Sequence, residues 1–584
     1  VYSSNNKFIF GGDALYRDAR LCLAVLGALC FSFSAHAQSV SAPQPFVEEQ
    51  RQQERERALR EQQERSVDAR IPADAKPAVA LLSASENPCF VVDRLRLDGE
   101  LSDDFDWSLA AAGGDAGKDS PLGRCLGAEG INTVVTRVQQ AIVDRGYTTT
   151  RVLAGRQDLS NKVLTLTLIP GRVPSVRFAD ASVLPTTLRN AIPIKPGDLL
   201  NLRDIEQGLE NLKRLPTVEA DIQIEPSKAP GARPGDSDLV VKYSQKVPLR
   251  TTLSLDDTGT EATGKTQTGL TVAWDGPLGL NDLAYVSLNH DAFNHEGQGT
   301  SGQTVHYSVP FGYWLLGFNG SQSRYHQSVA GLSENYVYAG ETRNAEVKLS
   351  RLIYRDQRRK TTVAIRGFRR ASNNFIDDTE VEVQRRVVGG WEASLNHREF
   401  IGDATLDGTL AYRRGTGAFG ALPAPEEFFG EGTSRLKLYT ADVNLNAPFQ
   451  LGSQKLRYTA LWRTQWNRTP LTPQDRFSIG GRYTVRGFDG ETSLMGERGW
   501  ILRNDLGIAL GQSGAELYAG VDYGEVGGPS TQYLLGRHLA GGAVGLRGAF
   551  KGLNYDLFVG APISKPEGYR TAKVTGGVNF NYSF

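Results

Sequence analysis

Arg486 and Asp522 are the residues whose type and placement best suit chemistry, and that chemistry is electrostatic. Arg486 lies in GGRYTVRGFDG, residues 480–490, among Gly481, Gly487 and Gly490. Glycines give a long loop the backbone freedom to fold back on itself. Asp522 lies in a segment where Leu517, Ala519 and Val521 alternate with Tyr518, Gly520 and Asp522. In a strand, Asp522 then points away from the apolar face. An arginine held off water needs a carboxylate, and its planar fork suits one. An Arg486–Asp522 ion pair that pins the loop to an inner wall is therefore one reading; a solvated loop arginine is the other.

Other chemistries find little support. The seven histidines and the scattered acids form no metal-spaced or triad-like group. No phosphate loop of the form GxxxxGKS or GxxxxGKT occurs. With 65 basic and 65 acidic residues the net charge is zero, so no global field points to nucleic acid. No enzyme activity, metal, cofactor or nucleic-acid partner is expected.

The elements that must position the pair are strands with one oily and one wet face. In residues 574–584 the even positions are Val574, Gly576, Val578, Phe580, Tyr582 and Phe584, and Thr575, Asn579, Asn581 and Ser583 lie between them. A period of two marks a strand. An apolar series that closes on Phe580, Tyr582 and Phe584 is the pattern of a bacterial outer-membrane barrel and its assembly signal; a half-buried strand of a soluble sandwich is the alternative. The pattern recurs at Tyr439–Leu445, at Leu456–Trp462, which follows a turn through Pro448 and Gly452, and at Leu553–Val559. In hydrocarbon, unpaired backbone groups are costly, so such a sheet must close. Residues 247–584 accommodate about sixteen antiparallel strands of roughly nine to eleven residues. The mean hydropathy of −0.34 agrees with strands that are half polar.

Residues 21–34 are apolar but too short to span a bilayer as a helix. Arg17 and Arg20 precede them and Ala35-His36-Ala37 follows, so residues 1–37 read as a signal peptide. Cys89 and Cys125 then remain in an oxidising compartment, where a structural disulfide is expected, with two buried thiols as the alternative. Residues 44–66 are strong helix formers of mixed charge with almost no apolar residues. Such a helix has no face to bury in a core; it is a solvated tail or the occupant of a watery lumen. A linker over 67–88 follows, then two α/β modules at 89–170 and 171–246 with the same order of elements. The first opens on a strand FVVDRLRLDG and carries a helix at 129–145; the second carries helices near 185–192 and at 202–215.

This arrangement resembles the transporters of two-partner secretion, the TpsB family, and the modules resemble POTRA domains. Val485, Arg486, Gly487 and Phe488 match the family's VRGF/Y core, and Gly520, Asp522 and Gly524 match the wall motif that partners it. The cysteine placement is closest to the haemolysin and contact-dependent-inhibition branches. The resemblance implies an outer-membrane protein-conducting pore with periplasmic POTRA domains and a plug at 38–66. It implies export of one large β-helical exoprotein, secretion domain first, without ATP. Outer-membrane lipid and the barrel-assembly machinery are the other partners implied, and the transporter is expected as a monomer. An insertase of the same superfamily and a passive porin are the competing readings.

Overall fold

The computed structural model describes residues 45–64, 67–71, 81–83, 86–114, 117–180, 186–293 and 297–584. The expected leader at 1–37 and part of the expected linker lie outside them.

Sixteen long strands close into one antiparallel barrel. In chain order they are β1 (Leu249–Asp256), β2 (Gln267–Asp275), β3 (Leu283–Asp291), β4 (Gly299–Phe311), β5 (Trp314–Ala330), β6 (Asn335–Arg355), β7 (Arg359–Ile376) and β8 (Arg386–Ile401). The second half comprises β9 (Ala404–Thr416), β10 (Lys437–Leu451), β11 (Gln454–Asn467), β12 (Arg498–Ala509), β13 (Ala515–Gly527), β14 (His538–Phe550), β15 (Leu553–Ser564) and β16 (Thr575–Ser583). The wall inverts the burial of a water-soluble protein. Leu270, Val286, Val305 and Phe318 are exposed on its outside, whereas Thr271, Ser287, Thr304 and Asn319, one residue away on the same strands, are buried inside. Only lipid makes that inversion favourable. The seam between β16 and β1 is short, running from Asn579 opposite Asp256 to Ser583 opposite Thr252.

Two details differ from expectation. Several strands far exceed nine to eleven residues, and β6 has 21, because pairing continues beyond the layer that lipid covers. Pro448 is not in a turn: it pairs with Arg457, and the chain reverses only between Leu451 and Gln454. Pairing of β10 with β9 ends at Asn446, so the missing proline N–H falls where one neighbour has already gone.

Helix α1 (Pro45–Gln63) lies inside the barrel, where its side chains bond to the inner wall. The first module sets helix α2 (Ala128–Asp144) against a sheet of Arg94–Gly99, Val163–Ile169 and Arg151–Leu153. Val134, Val138 and Ile142 recur at helical spacing and are buried there. The expected strand FVVDRLRLDG breaks at Asp93. Phe90–Val92 pairs with Arg124–Leu126, and Arg94–Gly99 pairs with Val163–Ile169. The Cys89–Cys125 disulfide explains the break, since it ties the start of the segment to 124–126. Its 36-residue separation predicts that replacing both cysteines by serine lowers the module's stability by about 2–4 kcal/mol. Denaturant unfolding of the detergent-solubilised protein, followed by proteolysis at the module, measures the loss.

The second module pairs Val176–Phe178, Ser237–Gln245 and Val218–Pro226, with the short helix Thr186–Ala191 and helix α3 (Leu202–Lys213) packed on them. Leu202, Ile205 and Leu209 are buried in its core, which continues into the wall through Ala273, Leu283 and Tyr285. The turn between β4 and β5 docks on this module: Asn211 Nδ2 donates to the Gly312 carbonyl at 2.7 Å and Asn190 Nδ2 to the Pro310 carbonyl at 3.0 Å. Arg355 binds Glu206 at 3.0 Å and Glu210 at 2.9 Å.

Candidate functional site

The segment between β11 and β12 does not project from the barrel. It folds inward and forms a short hairpin of Phe477–Ile479 against Leu494–Gly496. Apolar side chains hold it: Val485 and Phe488 are buried with Ile479, Leu494, Ile501 and Val526. The Phe488 ring meets Tyr569 edge-on at 5.8 Å.

Arg486 sits between them at 2% exposure, and Asp522 on β13 is 1% exposed. Arg486 Nε donates to Asp522 Oδ2 at 2.7 Å and Nη2 to Oδ1 at 2.7 Å, a bidentate fork. The Arg486 backbone N–H adds a third bond to Oδ2 at 2.9 Å. Asp505 on β12 accepts from Arg486 Nη2 at 2.5 Å and from Arg547 Nη1 at 3.2 Å. Arg547 also reaches Glu516 at 2.6 Å. The arginine is thus fully neutralised in a place closed to water, the condition under which a buried charge persists.

The glycines of both motifs create the room. Gly487 has φ +95°, and a Cβ there would lie 2.4 Å from the Ala561 carbonyl oxygen. A Cβ on Gly524 would lie 2.9 Å from Val485, and one on Gly520 would lie 2.3 Å from Asp505 Oδ1 and 2.5 Å from Arg486 Nη2. Gly520→Ala is therefore expected to force the pair apart and to cost about 1–3 kcal/mol by overpacking. A lower midpoint for loss of the heat-modifiable barrel band on gels, together with reduced secretion, is the expected readout.

The inner wall carries a second set of charges, and α1 engages them. Arg60 binds Glu346 at 2.6 Å, Glu54 binds Arg463 at 2.9 Å, Arg57 binds Asp442 at 3.2 Å and Glu49 binds Arg370 at 3.1 Å. Towards the loop, Arg51 donates to the Gly490 carbonyl at 2.5 Å and Gln50 to the Arg476 carbonyl at 3.0 Å.

The site residues read from the sequence fall into separate places. Val485, Arg486, Gly487 and Phe488 meet Gly520, Asp522 and Gly524 at the loop. Cys89 and Cys125 bond to each other in the first module. Phe580, Tyr582 and Phe584 lie at the end of β16 on the outside, where Tyr582 and Phe584 are exposed and their rings stand 5.8 Å apart. Asp505, Arg547 and Glu516 went unnoticed in the sequence. Their only signal is a charged residue in the inward phase of a strand, which many lumenal positions share.

Residues 235–548 match the family described as haemolysin secretion/activation protein ShlB/FhaC/HecB, and residues 118–171 and 172–226 match POTRA domains. The chain belongs to the haemolysin secretion/activation family. It is an outer-membrane transporter of two-partner secretion, with its barrel in the bacterial outer membrane and its POTRA domains in the periplasm. This transporter is 37% identical over 574 residues to the outer membrane transporter CdiB-2 of Burkholderia pseudomallei strain 1026b, covering 94% of this chain and 97% of the relative. It is 25% identical over 409 residues to the hemolysin transporter protein ShlB of Serratia marcescens, covering 69% of this chain and 71% of the relative. The solved structure of CdiB from Acinetobacter baumannii superposes with a TM-score of 0.81 at 29% identity, covering 94% of this chain and all of that one. In this transporter the turns that touch the second POTRA domain mark the periplasmic end of the barrel, and the opposite strand ends face outward from the cell.

Proposed function

We propose that this transporter exports one large exoprotein of β-helical architecture through the lumen that α1 occupies at rest. The exoprotein engages by its amino-terminal secretion domain, and α1 withdraws toward the periplasm to open the path. The observation that carries this reading is a charged helix, almost without apolar residues, seated in a closed barrel and held to its wall by ion pairs. The POTRA domains supply capture. The three-stranded sheet of the second has Val176–Phe178 at one edge and Val218–Pro226 at the other. An edge strand recruits an extended chain through main-chain hydrogen bonds and tolerates varied sequence. Arg486 and Asp522 hold the loop against the wall so that the lumen keeps one shape as the client passes.

The chain has no role as an enzyme in this scheme, and no ATP enters it; folding of the client outside the cell draws the rest through. The transporter works as a monomer in outer-membrane lipid, after insertion by the barrel-assembly machinery.

Planar-bilayer conductance tests the resting state. The full protein is expected to conduct poorly, and a variant lacking residues 45–63 to conduct severalfold more. Equal conductance of the two would remove α1 as the element that closes the pore.

A further inference from the structure

On the side formed by β5 to β11, the outer surface of the barrel carries a run of exposed cations. Arg324 on β5, Arg343 on β6, Arg369 on β7, Arg414 on β9, Lys437 at the start of β10 and Arg468 just after β11 are all exposed. They share the outward phase with Phe318, Val347, Ile365, Leu410 and Trp466, which are exposed too. The inward neighbour of Arg414 behaves differently: Arg413 is bound to Glu392 at 2.9 Å in the lumen.

Arg324, Arg343, Arg369 and Arg414 lie at one level of the membrane, and Lys437 and Arg468, which share the ladder row of Arg414, stand a few ångströms further out. Phe318 is in the same row as Val347, Gly367, Trp391 and Arg414, so Arg324 is displaced from the row of Arg414 by six residues over four strand steps. At about 3.3 Å per residue and about 4.8 Å per strand this offset corresponds to a tilt of roughly 45°, near that of outer-membrane barrels. Trp314 adjoins the periplasmic turn, and Arg324 stands ten residues further along β5. With strands so tilted, that separation is about 25 Å along the membrane normal, the height of the apolar band. Directly below the cations runs an aromatic girdle: Trp391 and Tyr412 rings are 5.6 Å apart, and Tyr412 and Tyr439 rings 4.8 Å. Such girdles mark the boundary between hydrocarbon and head groups.

The charge is mostly unanswered. Glu341 bridges Arg324 at 3.1 Å and Arg343, which are still 61% and 64% exposed. Arg369 donates Nε to the Phe419 carbonyl, which is neutral. Arg468 lies over the Tyr439 ring at 5.9 Å. Among the described residues, Arg414 and Lys437 make no ion pair. A row of guanidinium and ammonium groups at the outer head-group level complements phosphate esters anchored in the outer leaflet.

We propose that this arc, from Arg324 to Arg468, is a binding surface for phosphorylated glycolipid of the outer leaflet. The lipid's phosphates bridge neighbouring cations while its acyl chains lie on the apolar band beneath. Bound lipid fixes the height and tilt of this side of the barrel, opposite in sequence to the short β16–β1 seam.

Native mass spectrometry of the detergent-purified full chain, titrated with lipid A carrying both phosphates, tests the proposal. At about fivefold per cation near a charged surface, Arg414→Gln/Lys437→Gln/Arg468→Gln should bind about a hundredfold more weakly than the parent. Enzymatic removal of both phosphates from the lipid should weaken binding to the parent similarly, whereas Arg351→Gln, at the periplasmic interface, should bind as the parent does. Equal binding by parent and triple variant, or equal binding of the dephosphorylated lipid, would overturn it. So would displacement by inorganic phosphate at the same phosphate concentration, because that result describes a free-anion site. Heat-modifiable migration verifies folding. Should the triple variant fail that check, Arg414→Gln alone is read by the same criterion, with about a fivefold loss expected.

Discussion

Replacing Asp522 by alanine is expected to abolish secretion while the barrel still inserts into the outer membrane. The substitution removes three hydrogen bonds to one arginine: from its backbone N–H, from Nε and from Nη2. Asp505 remains, but it accepts a single bond from Arg486 and shares its charge with Arg547. Breaking one side of a buried pair costs about 3–5 kcal/mol. At 1.36 kcal/mol per decade, the ratio of pinned to released loop falls by about a hundredfold or more. The wall itself loses no ladder hydrogen bond, since those are made by the backbone of β13 with β12 and β14. Export of the partner exoprotein and heat-modifiable migration of the transporter are measured on the same cells. Asp505→Ala should reduce export only in part, and Asp522→Asn should fall between the two, because one acceptor oxygen survives. Full secretion by Asp522→Ala would remove the pinned loop from the mechanism.

The wall was legible because lipid imposes a rule that each strand must obey separately. Leu517, Ala519 and Val521 must face outward whatever β12 and β14 contain, so the inward phase of Asp522 follows from its own strand. The sixteen-stranded closed barrel, the POTRA pair and the amino-terminal helix agree with that reading. Strand ends obey no such rule. Residues 335–343 of β6, NYVYAGETR, continue the ladder past the apolar band without a regular alternation of oily and wet residues, so a period of two cannot detect where the strand begins.

The site was legible only to the extent that its parts are local. Gly487 and Gly520 sit beside Arg486 and Asp522 in short motifs, and the glycines signal close approach. The participation of Asp505 depends on β12 lying next to β13, with Asp505 opposite Gly520. That fact belongs to register, and no residue type announces it. The docking of the second POTRA domain was hidden for a similar reason. Asn190 and Asn211 look like surface amides of two helices until the β4–β5 turn is brought against them. In the first module the break at Asp93 was concealed by continuous strand propensity across both halves. The disulfide decided it, and a disulfide's effect on local pairing is not written in hydropathy.

Locking α1 to the wall is expected to stop export completely and reversibly. The reason lies in how the helix is held. Each wall residue that binds α1 also has a partner on the wall or loop. Glu346, which takes Arg60, also takes Arg366 at 2.6 Å. Arg463, which takes Glu54, is bound to Asp442 at 3.0 Å. Arg370, which takes Glu49, is bound to Asp475 at 2.8 Å. When α1 leaves, these charges stay paired, and no unpaired charge is stranded inside the barrel. The helix side chains, for their part, exchange the wall for water: Glu49, buried against Arg370, regains its hydration, and the more open Arg57–Asp442 pair contributes only about 0.2–1 kcal/mol. Withdrawal is thus a modest uphill step that a captured client can drive, and a covalent bond converts it into a prohibited one. Helix α1 runs close against β5, with Glu56 beside Ser321, so Glu56→Cys with Ser321→Cys places a disulfide between helix and wall. Oxidised cells carrying this pair should accumulate the exoprotein in the periplasm, either single cysteine should export normally, and reductant should restore export by the pair. Normal export by fully cross-linked protein would mean that the client passes with α1 in place.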